Sequence, residues 1–343
     1  MQRLTHAGYL LFLCMVVTSC APKKDQYYMI NGATMGTTYS VKFLLPSSET
    51  GSDSPQSIKK EIDKALVDVN DLMSTYIPDS ELSKLNKAPA GVPFQLSEGT
   101  RYVLSEAIKI GEVTGGMLDV TVGPLVNSWG FGPSQRPEVI PTEESLQELA
   151  QYVGLDKFIL NDREVVKSHP KVYVDLSTIA KGYGVDVVAE LLESKGIRHY
   201  LVEIGGEMRV AGKKAGGKDW LIAIEKPETN ERAVHRVISI GDNAIATSGD
   251  YRNYFEENGV RYSHLINPKT ASPIQHKVVS VSVVDKLALR ADGWSTALIV
   301  MGLEDGLALA EQQGIAAIFI VKEGNEFVEY QSEQFGQTVT VIQ

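Results

Sequence analysis

The stretch VVSVSVVDKLALRADGWSTALIVMGLEDGLALAEQQGIAAIFIV, residues 278–321, decides the fold class of this chain. Its first seven residues are valine and serine, and their β-branched, partly alternating pattern predicts a strand over 278–284. Helical segments follow over about 291–301 and 304–313, and the apolar run 316–322 predicts another strand. Elsewhere in the chain, predicted strands follow one another in hairpin-like succession. Strands joined both by helices and by hairpins indicate an α+β fold, with mixed sheets and flanking helices, rather than a uniform parallel sheet.

The rest of the chain carries further helix and strand signals. Ser54 and Pro55 are typical of an N-cap and a first helical residue, and the apolar residues over 55–75 recur at helical spacing, which predicts an amphipathic helix. Other helices are predicted to begin at Ser97, after Thr142 and at about Thr178, the last of them ending at Gly196. Further strands are predicted over 39–45, 171–175, 199–204, 220–225 and 234–246.

Composition and charge exclude several classes of protein. Hydrophobic residues make up 43% and charged residues 22% of the 343 residues, as in an ordinary globular protein. The formal net charge of −10 argues against nucleic-acid binding, which needs a basic face. The sequence contains no GxGxxG, HExxH or GxSxG motif. A GxxxxGK match at 212–218 is followed by Asp219, where a P-loop needs Ser or Thr, and we interpret it as a solvated loop between strands.

The N-terminus resembles the signal peptide of a bacterial lipoprotein. Its apolar run over 7–18 is too short to span a bilayer and ends in VTSC at 17–20. We therefore predict a signal peptide over 1–19, a lipid anchor on Cys20, a tether over 20–28 and a single domain over 29–343. An ordinary cysteine beside a standard cleavage site is the alternative. The predicted location is the periplasmic side of the bacterial inner membrane, with outer-membrane sorting left open.

Two segments offer side chains suited to an aromatic ring system. TMGTTY at 34–39 places Met35 beside a glycine before a strand, and LMSTY at 72–76 ends the first predicted helix with Tyr76. A thioether and a phenol that face one another can hold a flat ring between them. Core packing is the alternative for each residue taken alone.

Two further segments combine glycine with a carboxylate or a lysine. GGMLDVTVGP at 115–124 has Asp119 between its glycines, so that backbone and carboxylate could approach a ligand; a solvated aspartate in a β-turn is the alternative. VDLSTIAKG at 174–182 runs from a strand end into a helix start, where free N–H groups and Lys181 suit phosphate oxygens. Asp175 in this segment either contacts a ligand or only caps the helix.

A histidine and an acidic helix start complete the candidate residues. His264 lies in YSHLINP at 262–268 among turn formers and polar residues, with a structural role as the alternative to a catalytic one. ADGWST at 291–296 places Asp292 and Thr296 one helical turn apart, where both oxygens could bind one cation. Ligation by oxygen alone suits Mg²⁺ or Ca²⁺ and not zinc. A capping aspartate with a buried threonine is the alternative.

In their order along the chain, these segments resemble the ApbE family, the FAD:protein FMN transferases. The similarity runs from about residue 29 to 330 and is most specific in TVGPLVNSWGFGP at 121–133 and SGDYRNYF at 248–255. It implies an α+β fold in which two sheet-and-helix halves enclose a central FAD cleft. The ring system of FAD is then implied to lie between Met35 and Tyr76.

The resemblance also implies roles for other residues. Contacts with FAD are implied for Met117, Leu118, Asp119, Asp175, Lys181 and Ile266. A site for Mg²⁺ is implied near Thr178, Asp292, Ser295 and Thr296, and Glu207, after the glycine pair 205–206, is implied to approach the adenosine half.

The reaction implied by the resemblance is transfer of FMN from FAD to a Thr or Ser hydroxyl of a partner protein, with release of AMP. His264 is then the base that takes the hydroxyl proton. The implied partners are flavin-bearing subunits of respiratory complexes, of the sodium-pumping NADH:quinone oxidoreductase or Rnf type. Two alternatives remain: a Mg²⁺-dependent FAD pyrophosphatase that yields FMN and AMP, and a flavin-binding lipoprotein without catalytic activity.

Overall fold

The computed structural model describes residues 26–45, 54–132, 140–227, 233–251, 253–257 and 260–343. The helices in these ranges are α1 (Pro55–Met73), α2 (Glu81–Lys87), α3 (Glu98–Val113), α4 (Gly123–Ser128), α5 (Glu143–Ala150), α6 (Ala180–Ser194), α7 (Ala288–Met301), α8 (Leu303–Gln313) and α9 (Glu333–Thr338). The strands are β1 (Gln26–Thr34), β2 (Thr37–Leu45), β3 (Phe94–Gln95), β4 (Phe158–Leu160), β5 (Glu164–Lys167), β6 (Tyr200–Ile204), β7 (Glu207–Ala211), β8 (Ile222–Glu225), β9 (Val234–Ser239), β10 (Ala244–Gly249), β11 (Tyr254–Glu257), β12 (Val260–Ser263), β13 (Ile266–Asn267), β14 (Ser272–Pro273), β15 (Val278–Asp285), β16 (Ala316–Glu323), β17 (Glu326–Gln331) and β18 (Thr340–Val341).

An eight-stranded sheet forms the centre of the fold. Its strand order is β1-β2-β6-β7-β10-β15-β16-β17, and each neighbouring pair is antiparallel. Smaller sheets join β18, β9 and β8, and β3, β5 and β4. Helices and strands are interspersed along the chain, and the α+β class that the sequence predicts is confirmed.

The alternation of side chains along the central strands produces three layers. Val202, Ala246 and Phe319 point to one face of the central sheet and pack in the clusters that contain the helices α1, α6, α7 and α8. Their strand neighbours Leu201 and Ile245 point to the other face and pack against the three-stranded sheet of β8, β9 and β18. Because both faces are covered, each of these apolar side chains except the smaller Ala246 contributes about 1.5–3 kcal/mol through burial.

The helix starts that the sequence predicts are confirmed where a side chain caps them. Ser54, Ser97 and Thr142 each accept a hydrogen bond from the backbone N–H three residues later, at the starts of α1, α3 and α5. The helix expected from about Thr178 begins at Ala180, without a capping side chain. The predicted strand over 234–246 is two strands, β9 and β10, separated by a turn.

The strand predicted over 171–175 is wrong. This segment is extended and buries Val172 and Val174, but it pairs with no strand among the described residues. The amide of Asn86 takes the place of a neighbouring strand, since it accepts from the N–H of Val174 at 2.7 Å and donates to its carbonyl at 2.8 Å. The ammonium group of the buried Lys167 donates to the carbonyl of Val172 at 3.2 Å. Backbone polar groups are therefore satisfied without a sheet.

The N-terminal predictions lie mostly outside the described residues. The signal peptide over 1–19 and Cys20 belong to the part of the chain that the structure does not describe. β1 begins at Gln26, so the last three residues of the tether expected over 20–28 belong to the central sheet. Within the described ranges, no helix combines the length and apolar character that crossing a membrane requires.

Candidate functional site

The β1–β2 turn, the start of β7 and the end of β10 lie at one end of the central sheet. At this end β1 turns into β2 through Met35 and Gly36, and β6 turns into β7 through the glycine pair 205–206. β10 runs antiparallel to β7, and its first residue, Ala244, pairs with Arg209 inside β7. The last residues of β10 therefore extend past the start of β7, to the same end of the sheet. Strand ends from distant parts of the chain therefore meet at one place.

Met35 lies in a tight turn against α6. Met35 and Gly36 have φ values of 49° and 71°, as a two-residue hairpin turn of the primed type requires. The Met35 side chain fills the space beside Gly184 of α6, where a Cβ would lie 2.8 Å from the Met35 Cε. The position of the thioether is thus set by the turn and by a glycine on a neighbouring helix.

Tyr76 lies just beyond the end of α1 and is 67% exposed. Its backbone N–H donates to the Ser74 hydroxyl at 3.2 Å. Burial around the phenol oxygen and, second, the charge of Asp175 raise the pKa of Tyr76 above its ordinary value. The ring is therefore open to a ligand while its hydroxyl lies near the 174–182 segment.

The segments around Asp119 and Asp175 lie side by side. The backbone N–H of Asp175 donates to the carbonyl of Val120 at 2.7 Å. Asp119 is buried, and its Oδ1 accepts from the N–H and the hydroxyl of Thr121 at 2.7 and 2.6 Å. Burial raises the pKa of Asp119, and the Thr121 hydrogen bonds oppose that increase. Asp175 Oδ1 accepts from the N–H of Ser177 at 2.9 Å and shapes the turn that leads into α6.

The apolar residues among the expected FAD contacts have different environments. The side chains of Leu118 and Ile266 are buried in apolar clusters. Met117 is partly buried against the cluster that contains α7 and α8. Sequence reasoning could not separate these cases, because all three residues are simply hydrophobic.

A cluster of three charged residues joins α6, β7 and α7. Lys181 Nζ donates to Glu207 Oε1 at 2.5 Å and lies 3.9 Å from Asp292 Oδ1. Glu207 and Asp292 are each 3% exposed, and Glu207 Oε2 has no hydrogen-bond partner. Burial raises the pKa of Asp292, and the positive charge of Lys181 opposes the increase. Burial alone would lower the pKa of Lys181, but the two carboxylates outweigh it and raise that pKa above its ordinary value.

The contact between α6 and α7 fixes this cluster. The backbone N–H of Gly182 donates to Asp292 Oδ2 at 3.0 Å. A Cβ at Gly182 would lie 2.3 Å from the carbonyl oxygen of Ala288, so no larger residue fits between the two helices. The first turn of α6 and the first turns of α7 are thereby held in contact.

Hydroxyl groups lie one turn beyond Asp292 on α7 and on the neighbouring strand β10. The hydroxyls of Ser295 and Thr296 lie 2.9 and 3.1 Å from the hydroxyl of Ser248 at the end of β10. The buried hydroxyl of Thr178, just before α6, has no hydrogen-bond partner. A carboxylate, hydroxyls and unpartnered buried oxygens form a donor set that fits a hard cation such as Mg²⁺. In the described part of the chain, no three His, Cys, Asp or Glu side chains form a metal-binding group, and Asp292 is the one carboxylate among the residues expected to bind the cation.

His264 follows β12 and is held by the backbone of Asn253. His264 Nδ1 lies 3.0 Å from the Asn253 carbonyl oxygen, which can only accept, so Nδ1 carries the hydrogen and Nε2 has the free lone pair. Burial lowers the pKa of His264; the Asn253 contact opposes this and the charge of Lys181 adds to it. The charge of Lys181 thus acts on the His264 imidazole, whose Nε2 is free to accept a proton.

Aromatic rings that sequence reasoning did not identify support His264. Four rings stack in the order Trp129, Tyr262, Phe255 and Phe131, with centroids 5.1–5.4 Å apart, and the edge of Phe131 contacts the His264 ring at 6.3 Å. Ser248 was also missed, although it stands in the quoted SGDYRNYF segment. In the sequence, Ser248 is simply a serine before a glycine near the end of a predicted strand, and this pattern is too common to indicate a functional role.

Comparison with protein families agrees with the fold. The model of the ApbE family matches residues 35–319. A FAD:protein FMN transferase of Vibrio cholerae is 49% identical over 321 residues, covering 94% of this chain and 95% of the relative. The FAD:protein FMN transferase of Escherichia coli is 39% identical over 313 residues, covering 90% and 88% respectively.

Solved structures show the same similarity in three dimensions. The flavin transferase ApbE of Vibrio cholerae has a TM-score of 0.85 and 48% identity, covering 92% of this chain and 99% of that one. The flavinyl transferase ApbE of Pseudomonas stutzeri, in its apo form, has a TM-score of 0.84 and 37% identity, covering 92% and 97%.

Proposed function

The chain belongs to the ApbE family, and we propose that it transfers FMN from FAD to a threonine or serine hydroxyl of a partner protein, in a Mg²⁺-dependent reaction that releases AMP. Family membership makes the chain an enzyme, a transferase that carries flavin from FAD to a protein. The role of Mg²⁺, the chemistry of the acceptor and the release of AMP are the proposed parts.

One arrangement supports the proposal most directly: the buried Glu207 and Asp292 carboxylates surround the half-buried Lys181, whose charge acts on a histidine with a free Nε2. Asp292 and Lys181 supply opposite charges where a diphosphate and its cation would meet. His264 lies near enough to Lys181 for the lysine charge to lower its pKa. Storage of a flavin would need neither a buried carboxylate nor a base.

Each residue then has a defined part in the reaction. Met35 and Tyr76 contact the two faces of the flavin ring, and Lys181 binds phosphate oxygens of the diphosphate. Thr178, Asp292 and Thr296, with Ser295 beside them, would hold Mg²⁺, which would neutralise the charge that develops on the diphosphate and the leaving AMP.

His264 is the proposed general base. Nε2 accepts the proton of the acceptor hydroxyl as its oxygen bonds to the phosphorus of the FMN half. The bond between that phosphorus and the oxygen bridging to AMP breaks, and AMP leaves with the electron pair. Asn253 and Phe131 hold the imidazole ring in one orientation.

Mass spectrometry of an acceptor tests the proposal. The full chain is incubated with FAD, Mg²⁺ and a threonine-bearing acceptor peptide, with the same peptide carrying alanine as the control. We expect a mass gain of one FMN less one water on the threonine peptide only, with one AMP released per transfer. Steady AMP release without a mass gain would instead indicate the FAD pyrophosphatase, and neither product would indicate a flavin-binding protein.

The cellular setting is part of the proposal. The acceptors are proposed to be subunits of respiratory complexes of the sodium-pumping NADH:quinone oxidoreductase or Rnf type, reached by an enzyme anchored through lipid on Cys20 at the periplasmic side of the inner membrane. The apolar run and VTSC at the N-terminus support the anchor. Cys20→Ser is expected to move the protein from the membrane fraction to the soluble periplasmic fraction.

A further inference from the structure

Three hydroxyl groups form a connected chain between β10 and α7. Ser248 Oγ lies 2.9 Å from Ser295 Oγ and 3.1 Å from Thr296 Oγ1, and Ser295 Oγ donates to the carbonyl oxygen of Asp292 at 3.0 Å. Ser295 is fully buried and Thr296 is 7% exposed, so neighbouring protein groups rather than solvent set the directions of their hydrogens.

Three hydroxyl hydrogens supply these three contacts, and only one assignment makes all of them. The Asp292 carbonyl can only accept, so the Ser295 hydrogen points to it. Ser295 must then accept from Ser248, and Ser248, with its own hydrogen in use, must accept from Thr296. Thr296 therefore donates to Ser248, Ser248 donates to Ser295, and Ser295 donates to the backbone carbonyl oxygen of Asp292.

This direction has a chemical consequence for Thr296. Its hydrogen points toward β10, so both lone pairs of Oγ1 are left for another partner. The Ser295 hydroxyl already accepts from Ser248 and donates to the Asp292 carbonyl oxygen. It has only one lone pair left and is a weaker cation ligand than Thr296. A cation beside the Asp292 carboxylate is thus offered the lone pairs of Thr296 and not its hydrogen.

We propose that Ser248 and Ser295 are positioning residues that orient the Thr296 hydroxyl toward a divalent cation, and that Ser295 does not itself bind the cation. This inference rests on the metal dependence of the proposed function. The strand β10 fixes the position of Ser248, because Ala246, on the same face of the strand, packs in the apolar cluster that contains α7. Partners that orient a metal ligand change metal affinity about 10–100-fold when they are removed.

Mn²⁺ binding tests the inference without relying on catalysis. Free Mn²⁺ is measured by electron paramagnetic resonance as it is titrated into the full chain, with and without FAD, and the Mg²⁺ concentration that gives half-maximal FMN transfer is measured in parallel. Ser248→Ala and Ser295→Ala are each expected to weaken Mn²⁺ binding about tenfold.

The double variant separates the proposed chain from independent contacts. Because both serines act through the same hydroxyl, Ser248→Ala with Ser295→Ala is expected to weaken binding no further than either single change. Thr296→Val is expected to weaken it by more than about a hundredfold. Additive losses of Mn²⁺ affinity in the double variant would overturn the inference. So would a loss in Ser295→Ala as large as that in Thr296→Val, with normal affinity in Ser248→Ala, and this result would identify Ser295 as a ligand.

A neighbouring hydroxyl provides the matched control. Thr247 is the adjacent residue on β10 and bonds to Ser282 at 2.8 Å, away from the Ser248 contacts. Thr247→Val is expected to leave Mn²⁺ affinity unchanged, and thermal unfolding without metal checks that each variant is folded. If the unchanged protein bound no Mn²⁺ and transferred FMN without Mg²⁺, the proposed metal dependence would fail together with the inference. Normal binding by the unchanged protein with no effect of Ser248→Ala would overturn the inference alone.

Discussion

His264 shows how much a single backbone contact contributes at the residue scale. The Asn253 carbonyl fixes which ring nitrogen carries the hydrogen, and burial lowers the pKa of the imidazole below its ordinary value. A base is active in its neutral form, which predominates above the pKa. The enzyme should therefore keep its activity to a lower pH than a solvated histidine would allow.

The pH dependence of transfer checks this assignment. As pH falls, kcat/KM for FMN transfer is expected to decline through a pKa below 6.5, because protonation removes the lone pair on Nε2. His264→Ala is expected to bind FAD with unchanged affinity and to lose this acidic limb along with at least about a hundredfold in rate. An acidic limb at or above pH 6.5, or one that survives in the variant, would contradict the role of His264.

Asp292 is the second residue whose role a substitution can isolate. Asp292→Asn keeps the shape of the side chain and an oxygen near the Gly182 N–H, but removes the only carboxylate among the expected cation ligands. Transfer at fixed Mg²⁺ is expected to fall by at least about a hundredfold, since even partners outside the ligand shell are worth 10–100-fold in affinity. The rate as a function of Mg²⁺ concentration measures this.

An exposed aspartate serves as the control for that substitution. Asp68 forms a surface ion pair with Lys64, far more exposed than Asp292, and Asp68→Asn should leave the Mg²⁺ dependence unchanged. Equal Mg²⁺ dependence in Asp292→Asn and in the unchanged protein would exclude Asp292 as a ligand.

At the scale of elements, two glycines of α6 have different neighbours. A Cβ at Gly182 would meet the backbone of α7 at 2.3 Å, whereas a Cβ at Gly184 would meet the end of the flexible Met35 side chain at 2.8 Å. Gly182→Ala must therefore move one helix away from the other. Gly184→Ala needs only a rotation of Met35, and alanine is favoured over glycine within a helix by about 1 kcal/mol.

Urea unfolding distinguishes the two substitutions. Gly182→Ala is expected to lower the free energy of unfolding by about 1–3 kcal/mol, as overpacking of a close contact does. Gly184→Ala is expected to change it by less than about 1 kcal/mol while weakening FAD binding, because Met35 is displaced. Equal loss of stability in both variants, or tighter FAD binding by Gly184→Ala, would contradict this picture of the contact between helix and turn.

Some helices and strands could be predicted from neighbouring residues, and others could not. The N-caps at Ser54, Ser97 and Thr142 could be predicted because the capping side chain and the N–H it satisfies are three residues apart. The segment 171–175 has the pattern of a buried strand, yet the amide that pairs with Val174 belongs to Asn86, 88 residues away. Its hydrogen bonds could not be read from neighbouring residues.

At the scale of the whole molecule, the candidate site draws on distant parts of the chain. Met35 comes from the β1–β2 turn, Lys181 from α6, Glu207 from β7 and Asp292 from α7. A ligand that contacts all of these binds the folded state alone and so stabilises the whole fold.

Ligand-dependent stability is the prediction at this scale. FAD with Mg²⁺ at about 100 times its dissociation constant is expected to stabilise the protein by about 2.7 kcal/mol. Thermal unfolding should therefore shift to higher temperature, and a chelator of divalent ions should remove the part due to Mg²⁺. Riboflavin, which lacks the diphosphate, is the control and should show no Mg²⁺ increment. An increment with riboflavin as large as that with FAD would place the cation away from the diphosphate.

The sequence by itself determined the class of the fold, the family and the capped starts of α1, α3 and α5, and it supplied the candidate site residues. These depend on residue type, on spacing along the chain and on contacts within one turn. Only the tertiary structure decided that Lys181 pairs with Glu207, that Asn253 sets the tautomer of His264, and that Ser248 contacts Ser295 and Thr296. Burial, hydrogen-bond direction and the sign of a pKa shift depend on atoms brought together across the chain, and only folding brings those atoms within reach of one another.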